Sequence, residues 1–192
     1  QKHQLDVVQI PAVKQPPRSC LGYSFVQVLY ILKHFGFAPA SFEADLNKAI
    51  STLEQEQSKI QMIARQAAQK MHQKFSIIYA TSRMSAVALR LRQQMNENSK
   101  LLACHHAYPE MNHNELVGWR EQTGDFAVVN FRSKDDNDRN ALRMDICKNI
   151  IGKISPDIID IDCLGDSLIE QAMYGVHVGD WISWELAEAR SV

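Results

Sequence analysis

From Phe75 onward the chain alternates between short apolar runs and longer stretches of helical period, four times over. Phe75–Ala80, Leu101–His106, Phe126–Phe131 and Ile158–Ile161 are brief and rich in β-forming residues, which predicts strands. Helical spacing follows each one: Ala86–Asn96, a polar turn with a short helix after His106, Asn140–Ile151, and a long helix from about Ser167 to Ala189. Upstream the period is helical throughout. Leu21, Phe25, Val28, Leu29, Ile31, Leu32 and Phe35 mark a helix over Cys20–Phe35 that Gly36 can stop. Leu46, Ala49, Ile50, Leu53, Ile60, Ile63, Ala64, Ala67 and Met71 mark the apolar side of a second helix over Ser41–Met71, which Ser41 can cap. Before these, Leu5–Ile10 alternates weakly and then meets Pro11, Pro16 and Pro17. Proline is excluded from helix interiors and central strands, so residues 1–19 read as a lead-in segment or linker.

Strands alternating with helices predict an α/β fold, a parallel sheet covered on both faces. With 192 residues there is room for one such domain and its core, not for two. A net charge of −1 offers no basic face for nucleic acid. No apolar run approaches the roughly 20 residues that span a bilayer, so no membrane segment is expected. Cys20, Cys104, Cys147 and Cys163 stand singly in apolar contexts without a CxxC pair, as small core hydrophobes of a reducing compartment do, and a cytoplasmic location is expected. Gln1 is not an initiator residue, which suggests that an upstream part is missing.

The chemistry concentrates in Asn96-Glu97-Asn98-Ser99-Lys100 and in Pro109-Glu110-Met111-Asn112-His113-Asn114-Glu115, which bracket one apolar run. Carboxylates and amides are costly to bury unpaired, so these side chains are in water or in a polar site. Glu97 at the end of a helix is either a solvated terminus or a carboxylate set against the helix dipole, suited to accept a proton. His113, between two asparagines and followed by Glu115, is either a surface residue or a proton shuttle whose tautomer Glu115 sets. His105, His106, His113, Glu110 and Glu115 invite a metal reading. Adjacent strand histidines point to opposite faces, however, and the spacing fits no zinc pattern, so no metal is expected. Arg18, behind the rigid Pro16-Pro17, offers a fixed fork of donors to an anionic oxygen, or is an ordinary surface arginine. Thr81, Ser82 and Ser85 at a strand-to-helix turn suit either a phosphate or the cap of the next helix.

The NENSK string, the apolar run and PEMNHNELVGW together resemble the C-terminal half of the bacterial and archaeal bifunctional phosphoglucose/phosphomannose isomerases. Gln15-Pro-Pro-Arg-Ser-Cys-Leu-Gly-Tyr23 is similar to the opening of that family's second domain, and Gly179-Asp180-Trp181 also fits. The resemblance implies a flavodoxin-like sugar isomerase (SIS) domain, a three-layer α/β/α fold over residues 20–192, with a first SIS domain upstream. It implies that Glu97 moves a proton between C1 and C2, that His113 opens the sugar ring, and that Arg18 steadies the enediolate. The substrates implied are glucose 6-phosphate, mannose 6-phosphate and fructose 6-phosphate, with no redox cofactor and no metal.

Two features of the family are absent. Its Gly/Ser/Thr-rich phosphate loop belongs to the first domain, and a lysine expected near the C-terminus is missing, so this chain alone is expected to be inactive. Glu97 precedes a strand and His113 follows it; six residues rise roughly 20 Å, which separates the pair within one copy. A C2 homodimer with His113 near the partner's Glu97 is therefore expected. The alternative reading is a non-catalytic SIS module that binds or senses sugar phosphates.

Overall fold

Apolar residues that alternate along β1 (Phe75–Thr81) feed two separate cores, and the rest of the sheet is laid down around that strand. The computed structural model describes residues 7–12, 14–122 and 124–192; Leu5 and Asp6 of the expected alternation lie outside them. By internal packing the chain divides into Gln1–Leu46 and Asn47–Val192. In the first unit a 3-10 turn, Pro17–Cys20, leads into α1 (Leu21–His34). The helix ends as expected, with Gly36 taking a left-handed φ of 75°. Helix α2 (Phe42–Met71) starts where Ser41 predicted. Ser41 serves it differently: its hydroxyl donates to the Asp45 carboxylate at 3.4 Å, while its carbonyl accepts the Asp45 N–H.

In the second unit β1 is followed by α3 (Ser85–Glu97), β2 (Ala103–Tyr108), α4 (Glu110–Asn114), β3 (Phe126–Ser133), α5 (Asp138–Ile151), β4 (Ile158–Cys163) and α6 (Leu168–Arg190). All strand pairs are parallel, in the order β2-β1-β3-β4, with Ile78 level with His105 on one side and Val129 on the other. The four expected strands are present. Strand β2 starts two residues later than the apolar run suggested. Lys100 takes a left-handed φ of 55°, and Asn96 Nδ2 holds the Leu101 carbonyl at 2.7 Å, so Leu101 is still bonded back to the helix end. Pairing begins at Ser76 with Ala103.

One face of the sheet presents Ile78, Ala80, Val129, Phe131 and Ile161 to α3, α6 and the C-terminal half of α2. The other presents Ile77, Tyr79 and Val128 to Met111 of α4, Trp119, and Met144 and Cys147 of α5. This is the three-layer arrangement. Gly175 brings α6 close: a Cβ there would lie 2.8 Å from Val87 Cγ1 and 2.9 Å from Cys163 Sγ.

Candidate functional site

Helix α3 carries Val87, Ala88, Leu91 and Met95 into the core, and this stripe fixes the rotation at which its last turn emerges. The end of the helix is then tied down by its own polar string. Ser99, fully buried, donates to the Ser183 carbonyl at 2.7 Å, and Asn98 Nδ2 donates to Ser183 Oγ at 3.0 Å. Lys100 Nζ donates to the Glu97 carbonyl at 2.6 Å. Asp180 of α6 grips the same helix one and two turns back, accepting from Arg90 Nε and Nη2 and from Gln94 Nε2 at 2.8 Å. Glu97 is the exposed carboxylate at this braced terminus. The bracing residues Asp180 and Ser183 lie more than eighty positions downstream. Gly179-Asp180-Trp181 stood out in the sequence; Ser183 had no signal.

Beyond β2 the chain turns through α4, whose Met111 is fully buried and whose Asn112 donates to Cys147 Sγ on α5 at 2.8 Å. His113 is exposed on this short helix. Glu115 serves a different histidine from the one expected. Its Oε1 pairs with Nδ1 of His106, and its Oε2 accepts from Tyr79 OH at 2.8 Å. Trp119 Nε1 donates to the same phenol oxygen at 3.2 Å. The sheet register explains the pairing, since His106 is level with Tyr79 on the face that α4 covers. Burial pushes the Tyr79 phenol upward, Trp119 opposes the shift, and Glu115 adds to it. His105 points to the opposite face, as expected of adjacent strand residues. Its imidazole is lowered by burial and then by the charges of Arg92 and His106.

Glu97 thus closes α3 before β2 begins, and His113 follows β2, one at each end of that strand. The chain does not bring them together locally. Arg18 sits half-buried in the 3-10 turn of the first unit. Thr81 is already occupied: its hydroxyl donates to Asp136 Oδ1 at 2.6 Å, and the other oxygen of Asp136 accepts the Ser133 N–H at 2.9 Å. Ser85 Oγ donates to the Ser82 carbonyl and caps no helix N–H. Among the described residues no three His, Cys, Asp or Glu side chains gather as a metal site would require. Among them, too, no helix is long and apolar enough to cross a membrane.

Residues 60–192 match the family model described as the bacterial phospho-glucose isomerase C-terminal SIS domain. The chain is 33% identical to a bifunctional phosphoglucose/phosphomannose isomerase of Caldicellulosiruptor bescii, an alignment covering 97% of this chain and 58% of the relative. An Aquifex aeolicus protein of the same name is 29% identical, with 95% of this chain and 55% of the relative covered. The chain therefore spans little more than half the length of these relatives. Among solved structures, a glucose-6-phosphate isomerase like protein from Thermus thermophilus superposes with a TM-score of 0.69 at 14% identity, over 95% of this chain and 61% of that one. The C-terminal domain of glucosamine-fructose-6-phosphate aminotransferase from Francisella tularensis gives 0.66 at 15% identity, over 96% and 56%. These two likenesses establish the fold. With 133 of its 192 residues under the family model, the chain belongs to the bacterial phospho-glucose isomerase C-terminal SIS domain family.

Proposed function

We propose that this chain is the second half of an aldose–ketose isomerase that interconverts glucose 6-phosphate or mannose 6-phosphate with fructose 6-phosphate. Glu97 is the base. Its carboxylate takes the proton from C2 of the open-chain aldose, leaving a cis-enediolate, and returns it to C1 while a proton moves from the C2 oxygen to the C1 oxygen. His113, from the partner subunit, opens the ring by moving a proton between the C1 hydroxyl and the ring oxygen. Arg18 sets its positive charge against the enediolate oxygen, where charge develops. A carboxylate in this role has to be held still. The observation that carries the reading is the braced end of α3, where Asn96, Asn98, Ser99 and Lys100 all bind nearby atoms around an exposed Glu97.

The test is a coupled assay on the full-length protein from fructose 6-phosphate, following glucose and mannose phosphates together. Wild type forms both, and Glu97→Gln loses about 10²–10⁴-fold, the range of a positioned base. Glu97→Gln and His113→Ala subunits, each inactive alone, regain about a quarter of wild-type activity when mixed and re-associated. Half of the dimers are then hybrids carrying one intact site of two. No turnover by wild type, with sugar phosphate still bound, moves the assignment to a binding or sensing module.

A further inference from the structure

Helix α6 is packed on three sides. Ile182 enters the core, Asp180 grips α3, and Glu185 accepts from Arg65 of α2 at 3.3 Å. The fourth side carries Trp184, whose indole is 47% exposed. Its ring is held all the same. Trp181 stands edge-on to it, with ring centroids 5.3 Å apart and planes at 84°. Trp181 is fixed in turn, because its Nε1 donates to His177 Nε2 at 3.3 Å and the Gln57 side-chain amide lies 2.8 Å from the same nitrogen. Trp184 is thus a braced aromatic face turned toward water.

The register of two helices says what stands beside it. Asp180 accepts from Arg90 and Gln94, while Ser183, three residues on, meets Asn98 and Ser99, so α6 and α3 run in the same direction. On α3, Arg90, Gln94 and Glu97 stand at i, i+4 and i+7, which makes them one stripe, and Asp180 grips its first two members. On α6, Asp180 and Trp184 are an i, i+4 pair. One turn past Asp180 is therefore level with one turn past Gln94. The indole and the Glu97 carboxylate flank the same stretch of the seam between the helices.

This pairing has the chemistry of a sugar site. The hydroxyls of a hexose take polar partners, and Glu97 with the half-exposed Asp180 supplies them. The C–H face of the same sugar is apolar, with its hydrogens slightly positive, and lies well on the negative face of an indole. We infer that Trp184 is the stacking wall of the Glu97 site, holding the carbon chain of the sugar phosphate against its ring while the carboxylate reaches C1 and C2. The inference rests on the reading of Glu97 as the base.

The experiment uses the full-length protein with fructose 6-phosphate. Trp184→Ala is expected to raise KM about 3- to 10-fold, the span of one aromatic contact, and to change kcat less than about twofold. Trp184→Phe recovers most of the loss, and both variants keep the wild-type Tm and light-scattering mass because the side chain is exposed. In Glu97→Gln, where turnover is slowed, tryptophan emission changes as fructose 6-phosphate is added, and adding Trp184→Phe removes that change. An active enzyme whose KM ignores Trp184→Ala overturns the inference and leaves Glu97 as the base. A raised KM that comes with a fall in mass makes the indole a packing contact and overturns it too. An emission change through Trp184 in a wild type that forms no product retains the wall and removes the isomerase reading. Neither product nor emission change removes both.

Discussion

The pair Tyr79–Glu115 offers a quantitative check on how the His113 segment is held. Tyr79 is fully buried, and its hydroxyl donates to Glu115 while accepting from Trp119. Glu115→Ala strands a buried phenol donor, which costs about 1–3 kcal/mol. The lower half of that range is expected, because removing the Glu115 side chain opens the hydroxyl toward the adjoining cavity of about 260 Å³ lined by Tyr79, Glu115 and Trp119, where water can take its place. Tyr79→Phe loses the same bond and also leaves the Trp119 N–H without its acceptor, about 1–3 kcal/mol again. In the double variant the shared bond is counted once, so the changes fall short of their sum by about 1 kcal/mol. Urea unfolding of wild type, both single variants and the double variant measures this directly. Additivity to within about 0.3–0.5 kcal/mol would mean that the bond contributes nothing and would refute the reasoning. A functional readout accompanies it: Glu115→Gln keeps the shape but weakens the hold on His106 and α4, and is expected to lower kcat more than it raises KM.

Three further outcomes follow from the packing. Gly175→Ala drives a methyl against Val87 and Cys163, so despite the better helix propensity a loss of about 1–3 kcal/mol is expected. Thermal melting reads it as a fall of about 2–4 °C per kcal/mol, and an unchanged or higher Tm contradicts the close approach. His177 accepts from Trp181 Nε1 and is lowered by burial, with Asp180 opposing. Below its ordinary value near 6.5 the unfolded chain then binds more protons, so this contribution is intact above about pH 6.5 and is lost as pH falls through the folded value. His177→Gln should flatten the stability curve between about pH 7 and pH 5, and an unaltered slope would exclude the effect. Asp136→Ala removes the acceptor of both Thr81 Oγ and the Ser133 N–H and is expected to cost about 1–3 kcal/mol in urea unfolding, with Asp136→Asn losing less; equal, negligible losses would show those bonds to be idle.

The sheet was legible because strands buried on both faces are short, apolar and β-branched, and Phe75–Thr81 and Phe126–Ser133 fit that description without help. The start of β2 was not. A left-handed residue after a helix is usually announced by glycine, and here it is Lys100, whose side chain gives no such signal. Glu97 and His113 drew attention through the polar strings around them, and only motif likeness attached catalytic roles to them; helical period alone placed one at a helix end and the other in a polar turn. The partner of Glu115 was beyond reach for a different reason. Choosing His106 over His113 requires knowing that α4 folds back over the face of β2 that carries even-numbered residues. Asp180 and Ser183 likewise support α3 from α6, which Gly175 lets lie close against Val87 of that helix.

The strand order of such a sheet sets where its ligands sit. Open α/β sheets bind them at the carboxyl ends of the strands, where the strand order reverses, and here that point lies between β1 and β3. The chain fills it with its own carboxylate. Asp136 takes the Thr81 hydroxyl and the Ser133 N–H, the donors an incoming anion would use, and Gln171 takes Ser133 Oγ and Asp135 beside it. A negative group built into the crevice repels a phosphate as well as replacing it. The polar strings that remain unusual, NENSK and PEMNHNE, both lie along β2, at the edge of the sheet. The crevice at the switch point is thus occupied by the chain's own side chains, and the unusual polar strings flank the edge strand instead.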